Sequence, residues 1–368
     1  MTDRKLASIQ RIVSLDPIPD ADKIQKATVL GWEIVVAKSA NHQVADLVCY
    51  IEVDSIVPEK PEFEFLRERK FRVRTIKLRK QVSQGLVMPL TILPGDFAGY
   101  KEGSDVTAVL GIKKYDPEGE KEQKLLDEKA ARSKNKLNKF LLRYPWYRRL
   151  FSAFMPKKAS WPKFIQKTDE DRIQLFPNIC EQEKDTFFQV TEKLDGQSAT
   201  YFLVKNKKKF LWFGEDYIFG VCSRNLLLPK PDNSSYWTIA KQLKIKDALK
   251  AIIGKNDYIV LQGEILGTGI QGNKYKVSGY DFYVFNVIEP NRQWQSLEMK
   301  CLDFFGIKQV PVLDSMFKLK PTIPENVEYA KGKSTIADTL REGVVVRNYG
   351  KNISFKIINP DFLLKFEE

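Results

Sequence analysis

The sequence predicts an α+β protein in two parts: a small closed β-barrel over residues 1–115, and a second domain of antiparallel sheets flanked by helices over residues 161–368. Three observations predict it. The first hundred or so residues read as short strands separated by turn signals. From Asp116 to about Ser160 the composition turns helical and highly charged, as in a connection between domains. After Trp161 longer strands dominate, with few helices between them. At 368 residues and 43% hydrophobic content the chain is long enough for two packed cores.

The barrel strands are read from ASIQRIVSLDPIPDAD, IQKATVLG, WEIVVAKSA, LVCYIEVDSIVP and FRVRTIKLRKQVSQGLVMPL. In FRVRTIKLRK, Phe71, Val73, Thr75 and Leu78 alternate with Arg72, Arg74, Lys77, Arg79 and Lys80, which predicts one strand with a strongly basic face. That face is either a polyanion-binding surface or a charge-protected sheet edge. The basic half of the helical linker 116–160 interleaves Lys136, Lys139, Arg143, Arg148, Arg149, Lys157 and Lys158 with Phe140, Tyr144, Trp146, Tyr147, Phe151 and Phe154. Such a mixture either neutralises phosphates and stacks on bases, or packs its rings on the next domain and turns its charges to water. In the second domain, strands are read from TFFQVTEKL, SATYFLV, KKFLWFGE, DYIVLQGEIL, YDFYVFNVIE, REGVVVRN and NISFKIIN. Helices are read around SSYWTIAKQLKIKDALKAIIG and KCLDFFGI.

Sixty Lys and Arg against 47 Asp and Glu leave a net charge of +13, which suits a polyanionic partner. No apolar run is long enough to span a bilayer, and MTDRKLASIQ lacks a signal-peptide core, so a soluble, cytoplasmic monomer without a membrane partner is expected. Cys49, Cys180, Cys222 and Cys301 form no C-x-x-C pair and are expected to be reduced and buried. The one histidine, His42, lies in a polar loop, which excludes histidine triads and disfavours acyl-transfer hydrolases. Neither a P-loop nor a first-strand G-x-G-x-x-G is present.

Glu192-Lys193-Leu194-Asp195-Gly196 places a lysine between carboxylates at the end of a strand-like run. Partial desolvation there would lower the amine pKa and leave Lys193 a nucleophile able to attack phosphorus. Gly196 permits close approach of a ligand, and Asp195 would orient the amine or hold a metal through water. Five further blocks carry complementary chemistry. Arg224 in Ser223-Arg224-Asn225 suits a ribose or a phosphate. Glu264 emerges from an apolar strand into a glycine-rich turn and needs a ligand hydroxyl, a cation or Lys193 as partner. Phe285, on the face opposite Tyr283, offers a stacking platform. Glu342 opens the strand Gly343-Val344-Val345-Val346-Arg347, and Lys356 interrupts an apolar run where an anion is its simplest partner. A nucleophilic amine, carboxylates, an aromatic platform and cations are the inventory of phosphoryl transfer.

In order, EKLDG, CSRN, LQGEILG, FYVFNV, REGVVVR and SFKIIN resemble motifs I, Ia, III, IIIa, IV and V of the covalent nucleotidyltransferases, the superfamily of ATP-dependent polynucleotide ligases and mRNA capping enzymes. The resemblance covers about residues 161–368, and WPKFIQKTDEDRIQ is similar to the segment upstream of the lysine in RNA ligases. The chain ends soon after SFKIIN, so the expected barrel is N-terminal. With LRKQVSQGLVMPL and LGIKKYDPEG it resembles the OB domain of small RNA ligases, a fold that binds oligonucleotides.

The resemblance implies an ATP-dependent RNA ligase working with Mg2+ or Mn2+ on nicked or broken RNA. AMP would pass from ATP to Lys193, then to an RNA 5′-phosphate, before a 3′-hydroxyl seals the strand. It also implies site roles: Glu192 and Phe285 at adenine, Arg172 and Lys356 at phosphate, Arg224 and Glu264 at the ribose side, and Asp195, Glu264 and Glu342 around a hydrated metal. Ile358 stands where a second motif V lysine is common. Either Lys356 acts alone, or Lys351 or Lys365 compensates. Two other readings stay open: a DNA ligase acting on nicked duplexes, and a catalytically inactive nucleic-acid-binding module.

Overall fold

The computed structural model describes residues 5–95, 99–117, 119–120, 124, 161–206, 216–228 and 231–366. The basic aromatic half of the linker and the KKFLWFGE segment lie outside them.

The N-terminal part is a curled sheet in the order β3-β2-β1-β4-β9. It is built from β1 (Ala7–Pro17), β2 (Ile24–Val29), β3 (Trp32–Ala37), β4 (Leu47–Ile51) and β9 (Leu86–Met88). Two bonds bring the far edge back onto β3 and nearly close the barrel: the Gln84 N–H donates to the Glu33 carbonyl at 2.9 Å, and the Val35 N–H to Ser83 Oγ at 2.9 Å. A smaller sheet of β5 (Ser55–Ile56), β6 (Arg72–Val73) and β10 (Lys113–Lys114) sits beside it. Inward alternation fills the interior, with Ile12, Ala27, Trp32, Ile34 and Tyr50 fully buried.

FRVRTIKLRK is not one strand. It breaks into β6, then β7 (Ile76–Leu78), which turns back on β8 (Gln81–Ser83) through Arg79 and Lys80 at φ 47° and 67°. The expected basic face is therefore divided: Arg72 turns inward to Asp54, while Lys77, Arg79 and Lys80 are exposed at a hairpin tip.

The C-terminal part holds two antiparallel sheets. The first, ordered β18-β11-β19-β20, comprises β11 (Phe188–Lys193), β18 (Val312–Phe317), β19 (Gly343–Asn348) and β20 (Ile353–Ile358). The second is ordered β13-β12-β14-β15-β16, with β17 paired to β15. Its strands are β12 (Gln197–Lys205), β13 (Tyr217–Cys222), β14 (Tyr258–Gly267), β15 (Tyr280–Glu289), β16 (Arg292–Gln293) and β17 (Lys308–Gln309).

Helices Ser235–Gln242 and Ile245–Ile252 bury Tyr236, Ile239, Ala248 and Leu249 against the back of the second sheet, through Tyr201, Leu261 and Phe282. Phe188, Val190, Val344, Phe355 and Ile357 form the core of the first sheet. The chain crosses from one sheet to the other through Leu194-Asp195-Gly196, so Lys193 is the last strand residue before the cleft between them. Cys49, Cys180 and Cys222 are buried, and burial pushes the Cys49 thiol up to about 11, but Cys301 is exposed, contrary to expectation. It lies in a 3-10 turn at the surface.

Candidate active site

Strand register assembles the site. β11 pairs antiparallel with β19, Lys193 opposite Gly343, which brings the preceding Glu342 beside the lysine. Lys193 Nζ donates to Glu342 Oε2 at 2.6 Å. β12 pairs with β14, Ser198 opposite Glu264, so the 194–196 turn lies against Glu264. Gly196 is required there, because a Cβ would fall 2.4 Å from the Ile265 carbonyl oxygen and 2.8 Å from Glu264 Cγ. β20 pairs with β19, Lys356 opposite Val345; Phe355 and Ile357 enter the core while Lys356 faces the cleft.

The cavity between the sheets, about 250 Å³, is lined by all nine residues singled out in the sequence: Arg172, Glu192, Lys193, Asp195, Arg224, Glu264, Phe285, Glu342 and Lys356. Phe285 occupies a β-bulge, where β14 skips it between Val284 and Asn286. It packs in one cluster with Tyr283, Leu194 and Tyr275, so the two rings share a face and the expected opposition does not hold.

The electrostatics differ from expectation at the lysine. Burial alone depresses the Lys193 amine, but the Glu342, Glu264 and Asp195 carboxylates outweigh it and hold the amine above its ordinary range. The expected lowered pKa is thus corrected: the amine rests as an ammonium. Burial, reinforced by Glu342 and Asp195 against the opposing pull of Lys193, raises Glu264 to about 8. Burial likewise raises Glu342, although Lys193 pulls the other way. Among the described residues no three acidic, His or Cys side chains converge as direct metal ligands. A hydrated cation held through waters by Asp195, Glu264 and Glu342 fits this donor set, because it would offset the burial and the like-charge repulsion that elevate Glu264.

Several residues that frame the site carry no local sequence signal. The Thr335 N–H and Oγ1 donate to Glu192 Oε2 at 2.9 and 2.7 Å, while buried Glu192 Oε1 has no partner among the described residues. Asp195 is paired with Lys274, whose ammonium also lies 5.2 Å from the Phe362 ring centroid, and the Tyr275 hydroxyl accepts from the Asp195 N–H at 2.8 Å. From the run Thr168-Asp169-Glu170-Asp171-Arg172, all but Asp171 line one wall. Asp169 binds Arg224 at 2.6 Å and Lys114 of the barrel at 3.3 Å, and Arg347 donates to Glu170 at 3.0 Å. Burial opposes ionisation of Asp169, but Arg224, Lys114 and Lys356 overcome it and hold the acid far below the usual carboxylate range.

Ile358 is buried against Phe362 and Leu363. Neither candidate substitute reaches the cleft: Lys351 donates to Glu183 and Thr186, and Lys365 is exposed beside Phe366.

Two sheets enclosing a lysine, flanked by carboxylates and cations and joined to a curled five-stranded barrel, define a ligase-type nucleotidyltransferase domain with an OB module. A family model described as RNA ligase matches residues 186–358, and one described as an OB-fold domain matches residues 6–90. Over residues 186–358 the chain is similar to the RNA ligase family. Its fold is similar to that of Naegleria gruberi RNA ligase along nearly the whole length of both. An apo mutant of that enzyme superposes with a TM-score of 0.78 at 29% identity, covering 100% of this chain and 99% of the other. A mutant solved with ATP and Mn gives 0.77 at 28%, covering 99% of each. The same ligase with PPi gives 0.76 at 29%, again covering 99% of each. No curated protein sequence matches the chain. Among the described residues no helix is long and apolar enough to cross a membrane.

Proposed function

We propose that this chain is an ATP-dependent RNA ligase that seals RNA 3′-hydroxyl and 5′-phosphate ends at nicks, through a lysyl-AMP on Lys193 and an RNA-adenylate. The observation that carries the reading is the Lys193 amine, 2.6 Å from Glu342 in a cleft lined by all nine site residues named from the sequence. Solved complexes of the similar Naegleria ligase with ATP and Mn support ATP and a divalent metal as the cofactors.

In the first step the Lys193 ammonium gives up a proton, for which Glu342 Oε2 is the adjacent acceptor. The amine lone pair forms a bond to the α-phosphorus, and the bond to the bridging oxygen breaks as pyrophosphate leaves with the electron pair. Glu192, fixed by Thr335, and Phe285 hold the base; Arg224 and Glu264 hold the ribose side; Arg172 and Lys356 face the phosphates. Asp195, Glu264 and Glu342 would hold a hydrated Mg2+ or Mn2+, which when bound neutralises developing negative charge. An oxygen of the RNA 5′-phosphate then displaces Lys193 from the AMP phosphorus, and the amine leaves carrying a proton. Finally the RNA 3′-hydroxyl attacks the activated 5′-phosphate, loses its proton and expels AMP.

The test compares nicked duplexes with ribose or deoxyribose at the 3′-hydroxyl end, with ATP and Mg2+ or Mn2+ supplied. Sealing that needs ATP and favours a ribose terminus is expected. A strong preference for deoxyribose would favour DNA ligation. Salt-sensitive RNA binding without sealing or adenylation would favour an inactive binding module.

A further inference from the structure

We infer that Asp54, a residue of the barrel, positions Arg172 for the phosphates of the nucleotide, so that the OB module completes the adenylation site. The inference rests on the function proposed above. Asp54 lines the same cleft as Lys193 although it belongs to the N-terminal part, at the turn between β4 and β5. Its Oδ2 accepts from Arg172 Nη2 at 2.9 Å, a contact 118 residues apart in sequence.

Asp54 is itself held on several sides. Its Oδ1 accepts from Arg72 Nη2 at 3.2 Å, its N–H donates to the Val73 carbonyl at 2.9 Å, and its carbonyl accepts the Tyr115 N–H at 2.7 Å. The Arg72 guanidinium stacks over the Tyr115 ring at 3.8 Å. The backbone of Asp54 is left-handed at φ 66°, a turn conformation open to aspartate.

The barrel adds a second restraint, since the Trp32 ring centroid lies 5.6 Å from Arg172 Cζ. Next to Trp32 the chains meet backbone to backbone: the Gly31 N–H donates to the Gln174 carbonyl at 3.0 Å, and a Cβ on Gly31 would fall 2.9 Å from Gln174 Cα.

Arg172 is 6% exposed, yet Nε and Nη1 have no protein acceptor among the described residues. A guanidinium presents its N–H groups in a rigid plane, so fixing Nη2 on Asp54 sets the direction of the opposite edge. That edge belongs to a residue bridged in parallel to Lys356, and together they face the cleft. Two cations presented side by side, one with unsatisfied buried donors, suit the charge of a polyphosphate. Asp54 therefore acts through Arg172 and needs no contact with the nucleotide.

The test separates ATP-dependent adenylation from sealing of a pre-adenylated RNA nick, which requires no triphosphate. Asp54→Asn should raise the ATP KM of adenylation about tenfold, with sealing of the pre-adenylated nick within twofold of wild type. In an Arg172→Ala background the same substitution should add no further loss. Thermal melts of each variant check folding, and Asp54→Glu should recover part of the KM.

Equal losses in both reactions would show that Asp54 merely docks the barrel, and would overturn the inference. So would unaltered adenylation, or losses that multiply in the double variant. If wild type takes up no AMP at all, the parent function fails and this inference falls with it; if wild type adenylates and Asp54→Asn matches it, only the inference fails.

Discussion

Glu264→Gln removes a carboxyl whose pKa in the folded protein is about 8 against an ordinary 4.5. The folded state therefore keeps a proton that the unfolded chain has already lost between those two values. Stability from this group is complete below the unfolded pKa and is lost as pH rises through the folded one. At about 1.4 kcal/mol per pKa unit, and discounted for coupling to Lys193 and Glu342, the loss is on the order of several kcal/mol by pH 9. Glutamine mimics the protonated carboxyl and loses nothing over that range. Thermal melts of wild type and Glu264→Gln at pH 5, 7 and 9 should show the variant gaining on wild type by several degrees as pH increases, roughly 2–4 °C per kcal/mol or somewhat less for a chain of this length. Ligase activity of the variant should fall behind wild type increasingly as pH rises through 8, reaching about a hundredfold at pH 9, since the ionised carboxylate serves catalysis. A melting-temperature gap that stays constant or shrinks with pH would refute the account of Glu264.

Three other outcomes follow from the geometry. Adenylation by the wild type should accelerate from pH 6 to 9, because the Lys193 amine is held protonated by its carboxylates and Glu264 ionises near 8; a flat pH–rate profile would contradict this. Thr335→Val removes one of two donors that orient Glu192 and should cost about 1 kcal/mol, read as a several-fold rise in the ATP KM with little change for pre-adenylated substrate. Gly196→Ala forces a Cβ against the Ile265 carbonyl and should destabilise the fold by about 2 kcal/mol, measured by denaturant unfolding, with adenylation reduced at least tenfold.

The barrel, the paired sheets and the residues that gather around Lys193 were legible because each rests on local pattern. Alternation marked β11, β14, β15 and β20, and polar residues interrupting those apolar runs marked the cleft. FRVRTIKLRK misled because its alternation continues across a turn that Arg79 and Lys80 make in left-handed conformation, without the Gly or Asn that normally announces one. The Lys193 pKa was misjudged because burial is visible in an apolar run, whereas the approach of Glu342 depends on strand register 149 residues away. Asp54, Asp169, Glu170 and Thr335 were invisible for the same reason: in a chain rich in charge, only the tertiary pairing of an acid distinguishes it from a solvated neighbour. β18 and the helix Ile323–Ala330 were not foreseen either; Val312, Asp314, Ser315 and Met316 lie largely at the surface and break any period.

The central claim is that Lys193 carries AMP. Incubation with α-labelled ATP and Mg2+ or Mn2+, followed by peptide mapping, should place one AMP on Lys193, with no adduct on Lys193→Ala. An adduct on another residue, an equal adduct on Lys193→Ala, or none on wild type across metals and pH would contradict it.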